Sequence, residues 1–312
     1  QSRILKKIIN GSVGLIVGTH RLLSDDVVIP FLGLLIIDEE HRFGVRHKEK
    51  IRALKAKTDV LSMSATPIPR SMNMAISKIY SISTLQSPPK LRLPIKTRVE
   101  YYNFKTIKEA ISFEINRGGQ VYFVHNDIGS IKSLAALVSS WFEASVVEFI
   151  HGQESPGIIE KKMVSFVGGK IDVLICTTII ESGIDVPNAN CIIINNSHIF
   201  GLAQLYQMRG RVGRGLHQAY AYLLIPRGLS LSEKSFRRIK SIEQNISLGS
   251  GFNVSMADME IRGSGSLFGY RQSGGSGSLG YEMYTKMIQK SLHETGRLDT
   301  DFKLLPEDVV VN

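Results

Sequence analysis

The sequence predicts an α/β chain of two parallel-sheet lobes, the first truncated, followed by a mainly helical segment. Three observations predict it. Short β-rich runs alternate with helical patterns through residue 226, and strand–helix alternation builds parallel sheets. Several runs, among them Leu34–Ile37, Val121–Val124 and Cys191–Ile194, are continuously apolar, as strands covered on both faces must be. Ser87–Pro94 places three prolines in eight residues, which neither a helix nor a central strand tolerates.

Taken in order, Gln1–Lys7 reads as mid-helix and not as a signal peptide. Strands are expected at Gly14–Val17, Gly33–Ile37, Val60–Met63, Val99–Tyr102, Val121–Val124, Val146–Phe149, Val173–Cys176, Cys191–Ile194 and Ala219–Leu224. Helices are expected at Lys48–Lys55, Ile107–Asn116, Ile131–Phe142, Ile158–Phe166 and Ala203–Arg209. After Pro226 the character changes. Leu231–Leu248 reads as one basic helix, or two, carrying Lys234, Arg237, Arg238 and Lys240. Gly249–Gly280 is rich in Gly and Ser, yet Met256, Met259, Ile261, Leu267, Phe268 and Tyr270 are too apolar for a solvated linker. A further helix is expected over Glu282–Leu292. The expected organisation is a first lobe over 1–87, a linker over 88–96, a second lobe over 97–226, a helical module over 227–292 and a tail over 293–312.

Composition narrows the function classes. A chain of 312 residues should hold about two domains. Its 43% hydrophobic and 21% charged residues exclude wholesale disorder. A net charge of +10 points to a polyanionic partner. Cys176 and Cys191 both sit in apolar runs and read as buried strand cysteines, which suits a reducing, cytoplasmic setting. No Cys/His spacing resembles a zinc site. No apolar stretch reaches the roughly 20 residues that span a bilayer, so no membrane partner is expected.

The chemistry concentrates at strand ends. Asp38-Glu39 follows Leu34–Ile37, so a buried strand delivers two carboxylates to its carboxyl end, where open α/β sheets bind ligands. Asp38 suits Mg²⁺ held mostly through water. Glu39 suits the orientation or deprotonation of an attacking water. Gln207, Arg211 and Arg214 follow a helix at its turn into a loop, and the two arginines three apart can lie on one side. Guanidinium is always charged and matches phosphate with a planar fork. Thr177–Pro187 leaves another buried strand: the Thr177 and Thr178 hydroxyls can hold a DNA phosphate, and Asp185 can reach the nucleotide or the arginines. Thr19-His20-Arg21 ends the first run and can grip backbone too. The sequence contains no G-x-x-x-x-G-K-[ST], so the usual phosphate cradle is missing from it.

As a set, Asp38–His41, Ser64–Pro67, Thr177–Pro187 and Gln207–Arg214 resemble motifs II, III, V and VI of superfamily 2 helicases and translocases. Asp38–Val45 and Ala65–Arg70 are similar to the extended forms found in the bacterial double-stranded DNA translocases, the RecG proteins and the transcription-repair coupling factors. Gly118–Tyr122, His151–Gln153, Phe200–Gln207 and Gly280–Tyr284 are nearer to the coupling factors, as is the spacing from Gln272–Gly274 to Gly280, whereas Arg271 is nearer to RecG. Glu154–Gly157 and Asn196–His198 depart from the family pattern.

The resemblance implies two RecA-like lobes followed by a helical-hairpin translocation module, with ATP and Mg as cofactors and double-stranded DNA as partner. It implies that Asp38, Glu39, Gln207, Arg211 and Arg214 are catalytic. Asp38, Glu39, Gly183, Asp185, Arg211 and Arg214 would hold the nucleotide, with the metal on Asp38. Thr19, His20, Arg21, Ser64, Thr66, Thr177, Thr178, Arg262, Arg271 and Gln272 would bind DNA or couple to it. RNA polymerase and the excision-repair protein UvrA are implied as partners through regions outside this sequence, in the displacement of a stalled polymerase. A RecG-like fork-remodelling helicase is the alternative within enzymes. A non-catalytic DNA-binding module is the alternative outside them.

Without a phosphate cradle and its lysine, Asp38 and Glu39 lack a positioned γ-phosphate. The 312-residue chain by itself is therefore expected to show negligible ATP turnover. Phosphate release, with and without duplex DNA, checks this; turnover near that of an intact motor, abolished by Glu39→Gln, overturns it.

Overall fold

The computed structural model describes residues 2–40, 43–55, 58–65, 83–85, 92–178, 184–244 and 250–262. The chain divides into two compact units, Gln1–Ala65 and Thr66–Asn312. Residues 88–91 of the linker expected over 88–96, the helix over Glu282–Leu292 and the tail over 293–312 lie outside the described residues.

In the first unit, helix α1 (Ser2–Ile9) precedes a 3₁₀ turn (His20–Leu23), strand β1 (Leu34–Asp38), helix α2 (Val45–Lys55) and strand β2 (Asp59–Met63). β1 and β2 pair in parallel, with Ile37 opposite Ser62 and Asp38 opposite Met63. Ile8, Val27, Ile37 and Ile51 are buried, whereas Leu34, Ile36, Leu61 and Met63 stay about half exposed. Gly14–Val17, expected as a strand, is not one. Its Leu15 and Val17 are exposed, and no described strand pairs with it. An apolar run becomes a strand only where a neighbour takes up its backbone groups.

The second unit is built on a six-stranded sheet in the order β3-β8-β7-β4-β6-β5, every pairing parallel. The strands are β3 (Lys96–Tyr101), β4 (Gln120–Val124), β5 (Val147–Ile150), β6 (Val173–Cys176), β7 (Ala189–Ile194) and β8 (Tyr220–Ile225). Every residue of β4, β6 and β7 is buried. Their continuous apolar runs follow from cover on both faces. Successive side chains alternate between two cores. Val121, Phe123, Val173, Ile175, Cys191 and Ile193 enter one; Tyr122, Val124, Leu174, Cys176, Ile192 and Ile194 enter the other. Truncating the fully buried Phe123 to Ala should cost about 3–5 kcal/mol. Cys176 and Cys191 are buried and unbridged as expected, and burial pushes the Cys176 thiol up to about 12.

Helices α3 (Phe104–Asn116) and α4 (Ile128–Ser139) cover the first of these faces through Ile107, Ile111, Ile131 and Val138. Helices α5 (Pro156–Val167), α6 (Leu202–Arg209), α7 (Glu233–Gln244) and α8 (Gly251–Arg262) cover the other. α3 and α4 start three residues before the first inward-facing residue, because their caps lie earlier. Asn103 accepts from Lys105 N (3.1 Å) and Asp127 from Gly129 N (3.0 Å). α8 falls inside the Gly/Ser-rich stretch, where Val254 is fully buried and packs in the same core as Ile239 and Ile242 of α7. Arg262 is its last residue.

Between α3 and the start of β4 lies a buried carboxylate. Glu114 is fully buried and bonded to Arg117. A Cβ on Gly119 would sit 1.7 Å from Glu114 Oε1, so a larger residue there would displace the Glu114 side chain. Burial pushes the Glu114 carboxyl up against the opposing pull of Arg117. A raised carboxyl binds its proton more tightly in the folded state, so this group costs stability as pH climbs from the ordinary glutamate range through its folded value. Thermal melts of Glu114→Gln and the parent at pH 5 and pH 8 check this. The difference in Tm, variant minus parent, should grow with pH; a difference that shrinks would mean that the Arg117 pair outweighs burial.

Candidate nucleotide and nucleic-acid sites

The register of β1 and β2 brings the first motifs together. Asp38 is opposite Met63, and the Glu39 N–H continues the ladder by donating to Met63 O at 2.9 Å. Ser64 Oγ then donates to Glu39 Oε2 at 2.9 Å, and Ser62 Oγ to Glu40 Oε2 at 2.8 Å. Glu39 holds φ at +50°, a left-handed conformation costing a non-glycine residue about 1–2 kcal/mol. The acid expected to manage the water thus sits on a strained turn and is tied to the serine of motif III. Asp38 is exposed beside it. An accessible carboxylate is the hard oxygen donor that a largely hydrated Mg²⁺ takes, without a protein cage. Among the described residues no group of three or more His, Cys, Asp or Glu could form such a cage.

The residues at Thr19–Arg21 are engaged within their own unit. Thr19 Oγ1 caps the 3₁₀ turn by accepting from Arg21 N at 3.4 Å. Arg21 forks onto Asp26, with Nη1 to Oδ1 at 2.6 Å, which raises the guanidinium pKa and lowers that of the carboxyl. His20 stacks at a tilt on His47, 5.5 Å between centroids.

In the second unit, motif V leaves β6 with Thr177 buried and Thr178 half-buried at the carboxyl edge of the sheet. Asp185 Oδ1 lies 3.2 Å from Arg214 Nη1. Tyr122 is buried on the sheet nearby. Burial pushes its hydroxyl up, while the charges of Arg211 and Arg214 oppose the shift and that of Asp185 adds to it. The two arginines flank Gly213, whose φ is +72° and whose added Cβ would lie 2.9 Å from Ala219 Cβ and 3.2 Å from Ile95 Cγ1. Val212 is fully buried, Gly213 N donates to Ala189 O at 3.3 Å, and Arg92 Nε donates to Gly213 O at 3.2 Å. A tight glycine turn pinned to β7 therefore aims Arg211 and Arg214. Gln207 is half-buried on α6 one turn earlier. Gly183, Thr66, Arg271 and Gln272 lie outside the described residues, and Arg262 is described only by its backbone.

Sequence reasoning missed Arg209. It is 4% exposed, its guanidinium lies 4.9 Å from the Tyr206 ring centre, and Nη1 donates to Ile242 O of α7 at 3.1 Å. Desolvation lowers its pKa, yet a guanidinium remains charged. Its place one helical turn after Leu205, on the buried face of α6, is the sequence signal that could have found it. Arg238 of α7 reciprocates by donating to Phe200 O at 3.1 Å, just before α6. Arg209→Met keeps the stem and removes these donors. It should lower stability by about 1–3 kcal/mol in denaturant unfolding, by stranding a buried carbonyl; an unchanged midpoint contradicts this role.

Comparison with known proteins agrees with this geometry. A family profile described as "DEAD/DEAH box helicase" matches residues 1–75, and one described as "Helicase conserved C-terminal domain" matches residues 102–215. The chain is 44% identical over 292 residues to the transcription-repair-coupling factor of Escherichia coli (strain K12), covering 94% of this chain and 25% of that protein. It is 45% identical over 290 residues to that of Bacillus subtilis (strain 168), covering 93% and 25%. It thus spans about a quarter of the length of these curated relatives. Among solved structures, RecG bound to a three-way DNA junction is similar at 34% identity and a TM-score of 0.67, covering 92% of this chain and 38% of RecG. The chain belongs to the superfamily 2 helicase motors, in the branch that holds the transcription-repair coupling factors and RecG.

Proposed function

We propose that this chain is a motor region of an ATP-driven, double-stranded DNA translocase that couples transcription to repair. The observation that carries the reading is the Ser64–Glu39 hydrogen bond at the end of β1. It joins the acid of one motif to the hydroxyl of the next, so that a change at either is felt by both. Glu39 orients the water that attacks the terminal phosphate, and its strained turn and serine partner fix its direction. Asp38 would hold Mg²⁺ through water, and the ion would neutralise charge on the phosphates. Arg211 and Arg214, aimed by the Gly213 turn, meet the charge that develops on the transferred phosphoryl group. Asp185 holds Arg214 in place.

Duplex DNA is the polyanion that the +10 charge suits. Thr177 and Thr178 at the carboxyl edge of the sheet would take backbone phosphate. The relatives' name gives the process, transcription-coupled repair. On this reading the whole protein displaces a stalled RNA polymerase and engages UvrA through regions outside this sequence. A fork-remodelling reading rests on the likeness to RecG, at 34% identity against 44–45% for the coupling factors. A blocked polymerase and a branched junction, offered to the same complete motor, separate the two.

In a complete motor carrying this segment, Arg211→Ala or Arg214→Ala should leave DNA binding nearly intact and cut ATP turnover about 10³-fold or more. Arg262→Ala or Gln272→Ala should keep hydrolysis while losing displacement of a roadblock, because these residues pass movement to the DNA and do not meet the reacting phosphate. ATPase rate and triplex displacement on the same preparations decide it; equal loss of both in the Arg262 and Gln272 variants contradicts the division of roles.

A further inference from the structure

The carboxyl ends of β3, β7 and β8 line an open crevice of about 430 Å³ that none of the motifs uses. Its position follows from topology. The chain leaves β3 for α3 on one face of the sheet, and leaves β7 and β8 for α6 and α7 on the other. Diverging connections open a crevice at the carboxyl edge, where parallel sheets take their ligands. The volume is in the range of small-molecule and nucleotide sites.

The lining has three parts. Tyr102 and Phe104 supply aromatic surface: their rings meet edge-to-face at 5.4 Å, Phe104 is braced on Trp141 at 5.8 Å, and Phe104 remains 52% exposed. Asn103 and Asn196 supply amides. Asn103 Oδ1 caps α3, and among the described residues neither Asn103 Nδ2 nor the Asn196 side chain has a hydrogen-bond partner. Arg227 supplies a cation with no acidic partner among the described residues.

The amide wall is held rigidly. Asn195 is 8% exposed; its Nδ2 donates to His125 Nδ1 at 3.0 Å, and its Oδ1 accepts from Asn196 N at 2.9 Å. Ser130 Oγ donates to Asp127, so His125 Nε2 carries the proton and donates to Ser130 Oγ at 2.8 Å. That tautomer leaves Nδ1 to accept from Asn195. Asn196 takes φ +50°, which asparagine tolerates better than most residues.

An aromatic shelf, side-chain amides and a guanidinium are together the recognition chemistry of a nucleobase with its phosphate. We propose that this cavity receives a single unstacked base from DNA held along the same sheet edge, with the base on Phe104, its edge on Asn103 and Asn196, and its phosphate on Arg227. The inference rests on the DNA-binding reading above and adds to it a preference for duplex that carries an unpaired nucleotide.

The test uses the 312-residue chain and two DNAs of equal length, one fully paired and one with a single unpaired 2-aminopurine. The unpaired DNA should bind more tightly and its fluorescence should change on binding. Phe104→Leu should weaken that complex about tenfold and abolish the optical change, with paired-duplex affinity held within about twofold. Asn196→Gly keeps the left-handed backbone while removing the amide, and should lose the preference even if Phe104→Leu disturbs the packing on Trp141. Paired and unpaired DNAs bound alike, with no optical change, overturn this inference and leave the DNA reading standing. Failure to bind either DNA overturns both. Free AMP that saturates the site without being displaced by the unpaired DNA assigns the cavity to a soluble nucleotide and overturns the DNA source.

Discussion

Cover on both faces of the six-stranded parallel sheet is the constraint on which the second unit depends. Alternate residues of β4, β6 and β7 point to opposite faces, and none of them is exposed. Each face therefore needs its own helices. α3 and α4 serve one; α5, α6, α7 and α8 serve the other. The hairpin α7–α8 is thus part of the cover of the lobe, with Ile239, Ile242 and Val254 in the same core as Leu205 and Met208 of α6. Arg209 and Arg238 stitch the two together through backbone carbonyls.

The chemistry follows from that scaffold. Turns pinned by backbone hydrogen bonds to a strand can carry strained or charged residues. Glu39 at φ +50° and Gly213 at φ +72° both stand immediately beyond well-fixed segments. The first is tied to the next strand by its N–H and by Ser64, the second to β7 by its N–H. Motif VI occupies the turn after α6, and α6 is the helix that Arg209 ties to α7. Any displacement of the motif VI arginines is accordingly shared with the hairpin, which is the physical requirement for passing a phosphate event to a DNA-gripping element.

Much of this was legible in the sequence. β4, β6 and β7 read correctly because continuous apolar runs have few other uses, and the acids at the end of β1 read correctly because the run stops there. The starts of α2 to α6 came out one to three residues late, since periodicity begins at the first inward side chain and caps such as Asn103 and Asp127 precede it, whereas α7 starts two residues after the expected Leu231. Gly14–Val17 has a strand's composition but no partner, and pairing is not written in a single segment. α8 was hidden by the glycines and serines around it. Arg209 was not singled out, because an arginine's burial depends on a carbonyl 33 positions away. The Ser64–Glu39 contact, across 25 positions, becomes visible only once the β1–β2 register is known.

The central claim is that hairpin and lobe form one cooperative body. Native-state hydrogen exchange on the 312-residue chain tests it directly. The amides of α6, α7 and α8 should open with the same free energy as those of β7, and Arg209→Met should lower protection in α6 and α7 together. Protection of α7 and α8 that is lost well below that of β7, with α6 unaffected by the substitution, would contradict the account.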